Sequence, residues 1–341
     1  MRKAAIIIAI GLFVSALCAC SQNSGEEKAE VSFFALDTYI SIQAEGEAAE
    51  EAVLAARGVV ERAEDRWSVT DERSEVYAIN HGAGLPRSIS KDTSDLIAFS
   101  LQMAENTGGM FDPTIYPLVR AWGFTTGEYK VLSEDDIASL MPYVGYEKVL
   151  LQENTITLPD GMMLDFGAVA KGYIGDLVEE TLRSYGITSA LINLGGNIQL
   201  LGRNEGELWN IGLRSPYKDL LGTLLLEDTA IVTSGKSERF FTGDDGKIYH
   251  HIIDPATGSP AENDLLQVSV IGDEGKICDA LSTACFVMGK ERAIEFWRNN
   301  VNFGLILVTE QNEVLITEDI AETFFLNEGS EWTVKIIEKA E

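Results

Sequence analysis

The chain has 341 residues, with 26 Lys and Arg against 54 Asp and Glu and a formal net charge of −28. Acidic residues are spread along the whole chain, which argues against nucleic acid or anionic lipid as a partner of the folded part. A ligand that carries phosphate therefore needs local help from a metal ion or from backbone N–H groups. The segment that follows the N-terminal leader, about 310 residues, is long enough for a large hydrophobic core.

The first twenty residues, MRKAAIIIAIGLFVSALCAC, combine a basic start, a short apolar run and small residues before a cysteine. The run is too short for a bilayer and is typical of a secretory signal. Its ending predicts a lipoprotein signal peptide that spans residues 1–19, with Cys20 as the lipidated first residue. An ordinary secretory cleavage near Ala19 is the alternative. Residues 20–30 are polar and predict a flexible tether to a domain over residues 31–341, anchored by lipid to a cell membrane outside the cytoplasm.

Helix and strand patterns follow one another in clusters after the tether. Apolar residues at helical spacing predict helices within residues 47–67, 92–109, 133–141, 168–186 and 278–300. Apolar runs between Gly and Pro predict strands within residues 31–46, 148–167, 189–202, 208–216, 222–235, 247–255 and 303–320. Because the strands are clustered between helices, we predict an α+β fold, a single domain with two intimately packed lobes.

Residues 107–124, TGGMFDPTIYPLVRAWGF, are the first segment that suits a ligand. Gly108 and Gly109 allow the backbone to approach a ligand closely. The aromatic side chains either offer a surface to a planar ring or fill the core, and by itself the segment favours the core. These side chains are Phe111, Tyr116, Trp122 and Phe124.

Residues 164–173, LDFGAVAKGY, predict a strand that ends at Asp165 and a helix that begins near Ala168. A helix N-terminus offers free N–H groups and the positive end of the helix dipole to a phosphate. Lys171 lies in the first turn, where the dipole favours an acid, so it indicates an anionic ligand or is a surface lysine. Asp165 has the helix cap as its alternative role.

Two further segments carry glycine or oxygen donors. The paired glycines of LINLGGNIQLLG, residues 191–202, indicate a tight turn or the close approach of a ligand. Asp279 and Thr283 are four residues apart in a predicted helix and therefore share a face. A carboxylate and a hydroxyl, with a backbone carbonyl and substrate phosphates, suit Mg²⁺. The alternative is that Asp279 caps the helix and Thr283 packs.

Six segments in this order resemble the motifs of the FAD:protein FMN transferase (ApbE) family. They are GGMFDPTIYPLV, LDFGAVAKGY, LINLGGNIQLLG, TSGKSERFF, HHIIDPATGSP and CDALSTACFVMG. The resemblance covers residues 33–316 and implies an enzyme that uses Mg²⁺ and FAD, moves the FMN half onto a Ser or Thr hydroxyl of another protein and releases AMP. It implies as acceptor a flavoprotein subunit of a membrane redox complex.

The resemblance also implies site residues. The metal ligands would be the side chains of Asp279 and Thr283 and the backbone carbonyl of Ala168. The implied FAD contacts are Leu36, Met110, Phe111, Asp112, Asp165, Lys171 and Ile252. The family usually has Met-Gly-Thr where this chain has Leu36-Asp37-Thr38, so Asp37 places a side chain and a charge where glycine is usual.

The segment HHIIDPATGSP contains two of the three histidines. In the family the histidine before Ile252 faces the FAD site, which makes His251 the catalytic candidate, whereas His250 points to the other face of a strand. A histidine accepts the proton of an attacking hydroxyl near neutral pH. The alternative is that His251 only hydrogen-bonds the ligand. Asp254 is better explained as a turn former.

Two other functions fit the same residues. With water as the nucleophile the site is an FAD pyrophosphatase that gives FMN and AMP. A flavin-binding lipoprotein without catalysis is the second, and the oxygen donors Asp279 and Thr283 argue against it, because retaining a flavin does not require Mg²⁺.

Overall fold

The computed structural model describes residues 27–82, 84–300 and 302–339. Within these residues the chain forms eight α-helices and seventeen β-strands. The helices are α1 (Ala49–Trp67), α2 (Glu75–Asn80), α3 (Lys91–Asn106), α4 (Tyr116–Ala121), α5 (Glu134–Leu140), α6 (Ala170–Ser184), α7 (Gly275–Met288) and α8 (Lys290–Asn299). The strands are β1 (Lys28–Ala35), β2 (Thr38–Glu45), β3 (Arg87–Ser88), β4 (Leu150–Gln152), β5 (Thr155–Thr157), β6 (Ser189–Leu194), β7 (Asn197–Leu201), β8 (Trp209–Arg214), β9 (Leu220–Leu226), β10 (Thr229–Gly235), β11 (Phe240–Thr242), β12 (Ile248–His250), β13 (Leu265–Gly272), β14 (Phe303–Thr309), β15 (Glu313–Thr317), β16 (Phe324–Leu326) and β17 (Thr333–Ile337).

The start of β1 changes one predicted boundary. Residues 28–30, predicted as the end of the tether, pair with β2 and belong to the folded domain. The predicted signal peptide over residues 1–19 and the lipidation site Cys20 lie outside the described residues. In the part of the chain that the structure describes, no helix is long and apolar enough to cross a membrane.

A nine-stranded sheet forms the centre of the domain, in the order β1-β2-β6-β7-β10-β13-β14-β15-β17. Neighbouring strands are antiparallel except β15 and β17, which run parallel. Tight two-residue turns follow Ala35 and Leu194, which is why β1 and β6 each pair with the next strand in sequence. Both turns lie at the same end of the sheet, since Ile40 of β2 is opposite Leu194 of β6.

Helices α1, α6 and α7 cover one face of this sheet, with α6 packed between the other two. Their apolar sides form the main core with the sheet. In α1 the buried residues recur at helical spacing and include Val53, Ala56, Val60 and Ala63. The predicted amphipathic helix over residues 47–67 is confirmed.

A three-stranded sheet, in the order β16-β9-β8, contributes to a second apolar cluster that uses the opposite side chains of the central strands. In β14, Leu305 and Leu307 belong to the main core, while Ile306 and Val308 belong to this second cluster. Burial on both faces explains why β14 is apolar throughout. Helices on one side of the sheet and strands on the other confirm the predicted α+β class.

A third, smaller cluster consists of α4, the chain that follows it and Ile253. Trp122 Nε1 donates a hydrogen bond to the Gly258 carbonyl over 3.0 Å and so ties the segment 107–124 to the segment 250–260. All four aromatic side chains that were open to either role are buried, with at most 7% exposure. The core interpretation of these residues, Phe111, Tyr116, Trp122 and Phe124, is therefore confirmed.

Candidate functional site

The segment that leads to Asp165 does not form the predicted strand, and the side chain of Asn80 pairs with its backbone instead. The Leu164 N–H donates to Asn80 Oδ1 over 2.7 Å, and Asn80 Nδ2 donates to the Leu164 carbonyl over 2.8 Å. The Asp165 N–H donates to the Pro113 carbonyl over 2.8 Å. The expectation of a strand that ends at Asp165 is wrong, because an amide side chain and a loop supply the hydrogen bonds of a strand neighbour.

Helix α6 begins at Ala170, two residues later than predicted, and its N-cap residue Val169 makes no side-chain cap. Asp165 is not the cap either, since its Oδ1 accepts from the Gly167 N–H over 3.0 Å. The first turn contains Lys171 and no acidic residue. This arrangement retains the unusual combination of a cation and a positive helix end, as the sequence indicated.

One backbone N–H of α6 donates to a side chain of α7 instead of to a carbonyl of its own helix. The Gly172 N–H donates to Asp279 Oδ2 over 2.8 Å rather than to the carbonyl four residues earlier, which belongs to Ala168. Among the described residues, no N–H donates to that carbonyl. The Ala168 carbonyl therefore remains available as an acceptor beside the carboxylate of Asp279.

Asp279 and Thr283 lie one turn apart on α7, as the spacing predicted. Asp279 is 3% exposed. Burial raises the pKa of this carboxyl, while the charge of Lys171 and the Gly172 N–H oppose that rise. The Thr283 hydroxyl is half-buried and lies 3.2 Å from the Ser234 hydroxyl, at the end of β10.

These donors fit the hard cation that the family resemblance implies. A buried carboxylate, a hydroxyl and a carbonyl without a partner are all oxygen ligands, and Mg²⁺ prefers oxygen. Across the described ranges no group of three or more His, Cys, Asp or Glu side chains is placed to hold a metal. The described residues therefore do not form a nitrogen- and sulfur-rich metal centre of the zinc type.

Lys171 connects the predicted site residues electrostatically. Burial raises the pKa of Asp165, and the Gly167 N–H and the charges of Arg239 and Lys171 oppose the rise. Desolvation likewise raises the pKa of Glu238, again opposed by Lys171, although the Glu238 side chain is reached by solvent. Lys171 therefore lies near the carboxylates of both Asp165 and Glu238.

His251 follows the last residue of β12 and is half-buried. Its backbone N–H donates to the Arg239 carbonyl over 3.1 Å, and its Nδ1 lies 3.2 Å from the same oxygen. Because a carbonyl only accepts, Nδ1 carries the hydrogen of the neutral ring and Nε2 keeps a free lone pair. Burial, then the charges of Arg239 and Lys171, lower the pKa of His251 to about 3.

His250 points into the core, as strand alternation predicts. It is 5% exposed, and its Nε2 donates to the Ala261 carbonyl over 3.0 Å. Its ring packs edge-on against Phe286, with centroids 5.5 Å apart. Burial lowers the pKa of His250 to about 4. Asp254 is a turn former, since its Oδ1 accepts from the Ala256 N–H over 2.8 Å.

The predicted FAD contacts on the loop after α3 have different surroundings. The Asp112 carboxylate is buried, and accepts from the Thr114 N–H over 2.8 Å and from the Tyr146 N–H over 3.1 Å. Phe111 is buried in the main core, whereas Met110 is half-buried and its Sδ lies 3.5 Å from an Arg292 nitrogen. The side chains of Asp112 and Phe111 thus hold the loop in shape.

Two other predicted FAD contacts, Ile252 and Leu36, also contribute to the packing and hydrogen bonds of the fold. Ile252 is 5% exposed and its carbonyl accepts from the Ala261 N–H over 2.9 Å. Leu36 packs against the main core, and its N–H donates to Glu64 Oε1 over 2.8 Å.

The turn at Leu36-Asp37 has left-handed backbone at both residues, with φ of 54° and 56°. This conformation explains why glycine suits position 37 in the family. The neighbouring turn contains Gly195, at φ 67°, and a Cβ there would lie 2.2 Å from the Thr38 hydroxyl oxygen. The paired glycines of residues 191–202 thus form a tight turn, and the turn packs closely against the start of β2.

Two residues near Lys171 and His251, namely Glu238 and Arg239, were not assigned from the sequence. Both belong to the segment TSGKSERFF, which was noted only as a motif. Arg239 supplies the carbonyl that orients His251, and its charge acts on Asp165 and His251. The signal available in the sequence was the pair of adjacent, opposite charges of Glu238 and Arg239, which follows a strand that ends in glycine.

Comparison with known proteins gives concordant results. The model of the ApbE family matches residues 36–306. An FAD:protein FMN transferase of Klebsiella pneumoniae is 35% identical over 266 residues, 76% of this chain and 82% of that protein. One from Treponema pallidum is 35% identical over 253 residues, 68% and 69% of the two chains. The crystal structure of the ApbE protein from Thermotoga maritima aligns with a TM-score of 0.82 and 31% identity, over 87% of this chain and 99% of that one.

Proposed function

The chain belongs to the ApbE family, and on that premise we propose that it transfers the FMN half of FAD to a Ser or Thr hydroxyl of another protein and releases AMP. One observation supports this most directly. The charge of Lys171 acts on Asp165, Glu238, His251 and Asp279, which come from four separate segments. A lysine surrounded by these groups at a helix N-terminus suits an anionic ligand despite the net charge of −28.

The proposed reaction is a displacement at phosphorus. The acceptor oxygen forms a bond to the phosphorus of the FMN half, and the bond from that phosphorus to the bridging oxygen of the pyrophosphate breaks. AMP leaves with the bridging oxygen, and the acceptor is left with FMN in a phosphoester. The hydroxyl proton passes to His251 Nε2, whose lone pair is free because Nδ1–H donates to the Arg239 carbonyl.

The remaining side chains would position the pyrophosphate and neutralise its charge. Lys171, in the first turn of α6, would pair with a pyrophosphate oxygen, and the helix end adds N–H groups for it. Asp279, Thr283 and the Ala168 carbonyl would hold Mg²⁺, which neutralises charge on the pyrophosphate when bound. The low pKa of His251 belongs to the protein without ligand, and a bound pyrophosphate is expected to raise it.

We further infer that the enzyme works outside the cytoplasm, anchored by a lipid on Cys20, on a flavoprotein subunit of a membrane redox complex. The support is the sequence of residues 1–20. Cys20→Ser is expected to move the protein from the membrane fraction to the soluble fraction. Intact mass of the wild-type protein without a lipid on Cys20 would contradict the anchor.

The function is tested by incubating the purified protein with FAD, Mg²⁺ and a candidate acceptor, followed by intact mass of the acceptor. Transfer gives an acceptor heavier by FMN less one water, together with AMP in equal amount. FMN and AMP without a change in acceptor mass would indicate a pyrophosphatase. FAD bound but unchanged would indicate a flavin-binding protein, and either result would overturn the transferase.

A further inference from the structure

Helices α6 and α7 each lack a cap of their own. The N-cap residues, Val169 of α6 and Glu274 of α7, make no side-chain hydrogen bond to the first turn that follows. Uncapped N–H groups in a buried helix end need another acceptor. In both helices a carboxylate of the other helix supplies it.

The capping is reciprocal. Asp279 of α7 accepts from the Gly172 N–H of α6 over 2.8 Å. Asp176 of α6 accepts from the Gly275 N–H over 2.7 Å and from the Lys276 N–H over 3.2 Å, the first two residues of α7. Two carboxylates thus cross between the helices in opposite directions.

Two glycines bring the backbones together at this crossing. A Cβ on Gly172 would lie 2.1 Å from the Gly275 carbonyl oxygen, and a Cβ on Gly275 would lie 2.8 Å from the Gly172 carbonyl oxygen. A side chain at either position would push α7 away from α6. The hydrogen bonds of Asp176 and Asp279 therefore join two helices whose backbones are already in close contact.

We propose that Asp176 is a positioning residue for the metal site, an inference that rests on the proposed function. Asp176 fixes the first turn of α7 against α6, and Asp279 lies one turn further along α7. Ala168 lies just before the first turn of α6. Holding the two helices in this register keeps the carboxylate of Asp279 beside the free carbonyl of Ala168.

Gln199 of β7 supports Asp176 from the sheet. Its Nε2 donates to Asp176 Oδ1 over 2.9 Å and to Glu179 Oε2 over 2.6 Å. Glu179 lies on the same helix, shares the same amide and bonds to Arg183 over 2.8 Å, but accepts from no described N–H of α7. Glu179 is therefore the matched control for loss of a carboxylate on α6.

The test measures Mn²⁺ binding by the loss of the free-ion signal in electron paramagnetic resonance, because Mn²⁺ shares the oxygen ligands of Mg²⁺. Asp176→Asn is expected to weaken Mn²⁺ binding about 10-fold or more, the usual effect of a residue behind a metal ligand. Glu179→Gln is expected to stay within about twofold of wild type. If Asp176→Asn does not fold, Gln199→Leu, which loosens Asp176 without removing it, is expected to weaken binding in the same direction.

A second readout separates positioning from general stability. For Asp176→Asn the Mg²⁺ concentration at half-maximal FMN transfer should rise, with most of the rate recovered at saturating Mg²⁺. Equal Mn²⁺ binding by wild type and Asp176→Asn, or equal weakening by Glu179→Gln, would overturn this inference alone. Wild-type protein that binds no Mn²⁺ would overturn the proposed metal site and this inference with it.

Discussion

His250 and His251 are neighbours in the chain, but their rings lie in different surroundings because they leave the end of a strand on opposite sides. The ring of His250 packs on Phe286 and donates to the Ala261 carbonyl. The ring of His251 is held by the Arg239 carbonyl and keeps Nε2 free. A proton acceptor for the proposed reaction is therefore expected at His251 and not at His250.

His251→Ala should lower the rate of FMN transfer about 10²- to 10⁴-fold, the usual contribution of a general base. FAD affinity should change much less, since backbone groups and Lys171 are the residues proposed to bind the pyrophosphate. The measurement is single-turnover transfer with each variant saturated in FAD. A variant that reacts at the wild-type rate would reduce His251 to a binding contact.

Burial of His250 should make the protein less stable in acid. Its pKa is lowered to about 4 in the folded state, against 6.5 for an ordinary histidine. Between these two values the unfolded chain binds a proton that the folded protein does not, so stability falls as the pH falls from 6.5 to 4. The slope is at most about 1.4 kcal/mol per pH unit for one proton.

His250→Asn tests this by urea denaturation at pH 7 and pH 5. The variant should be less stable than wild type at pH 7, because it loses packing on Phe286, but it should lose less stability between the two pH values. His81→Asn, at an exposed position, is the control. The same acid loss in wild type and His250→Asn would show that the buried ring is not the cause.

At the scale of elements, local signals predicted the helices better than the strands. Ser133 and Asp136 form the predicted capping box at the start of α5. Residues 162–166 also alternate like a strand, with Met162, Leu164 and Phe166 buried, but form none. The hydrogen-bond partners of this segment are the side chain of Asn80, 84 residues away in sequence, and the Pro113 carbonyl of a loop, and periodicity carries no information about such contacts.

Asn80→Ala should therefore destabilise the protein by about 2–3 kcal/mol, because it leaves the buried N–H and carbonyl of Leu164 without partners. FAD is expected to raise the melting temperature of wild type by binding the folded state. This rise should be smaller in Asn80→Ala, because the segment that Asn80 holds leads directly to Asp165 and Ala168. Denaturation in urea measures the first effect. Asn106→Ala, at an exposed position, is the control, and an equal loss in both variants would contradict the structural role of Asn80.

At the scale of the whole molecule, the candidate site draws on residues from Leu36 to Thr283, and hydrogen bonds between distant segments position part of it, as between Gly172 and Asp279. The sequence indicated the residues through six ordered motifs, and the resemblance covered nearly the whole folded part. The sequence did not indicate that Asp112 and Ile252 are largely used by the fold, or that Arg239 orients His251. Those roles depend on contacts between segments far apart in the chain.

Transfer of FMN at one site, with the help of Asp279, is the central claim. The most direct test compares the intact mass of an acceptor after incubation with FAD, Mg²⁺ and either wild-type protein or Asp279→Ala. Glu291→Ala, at an exposed position on α8, is the control, and circular dichroism establishes that each variant is folded. We expect an acceptor carrying FMN with wild type and Glu291→Ala, and a rate more than about 100-fold lower with Asp279→Ala. Flavinylation by folded Asp279→Ala at the wild-type rate would contradict it.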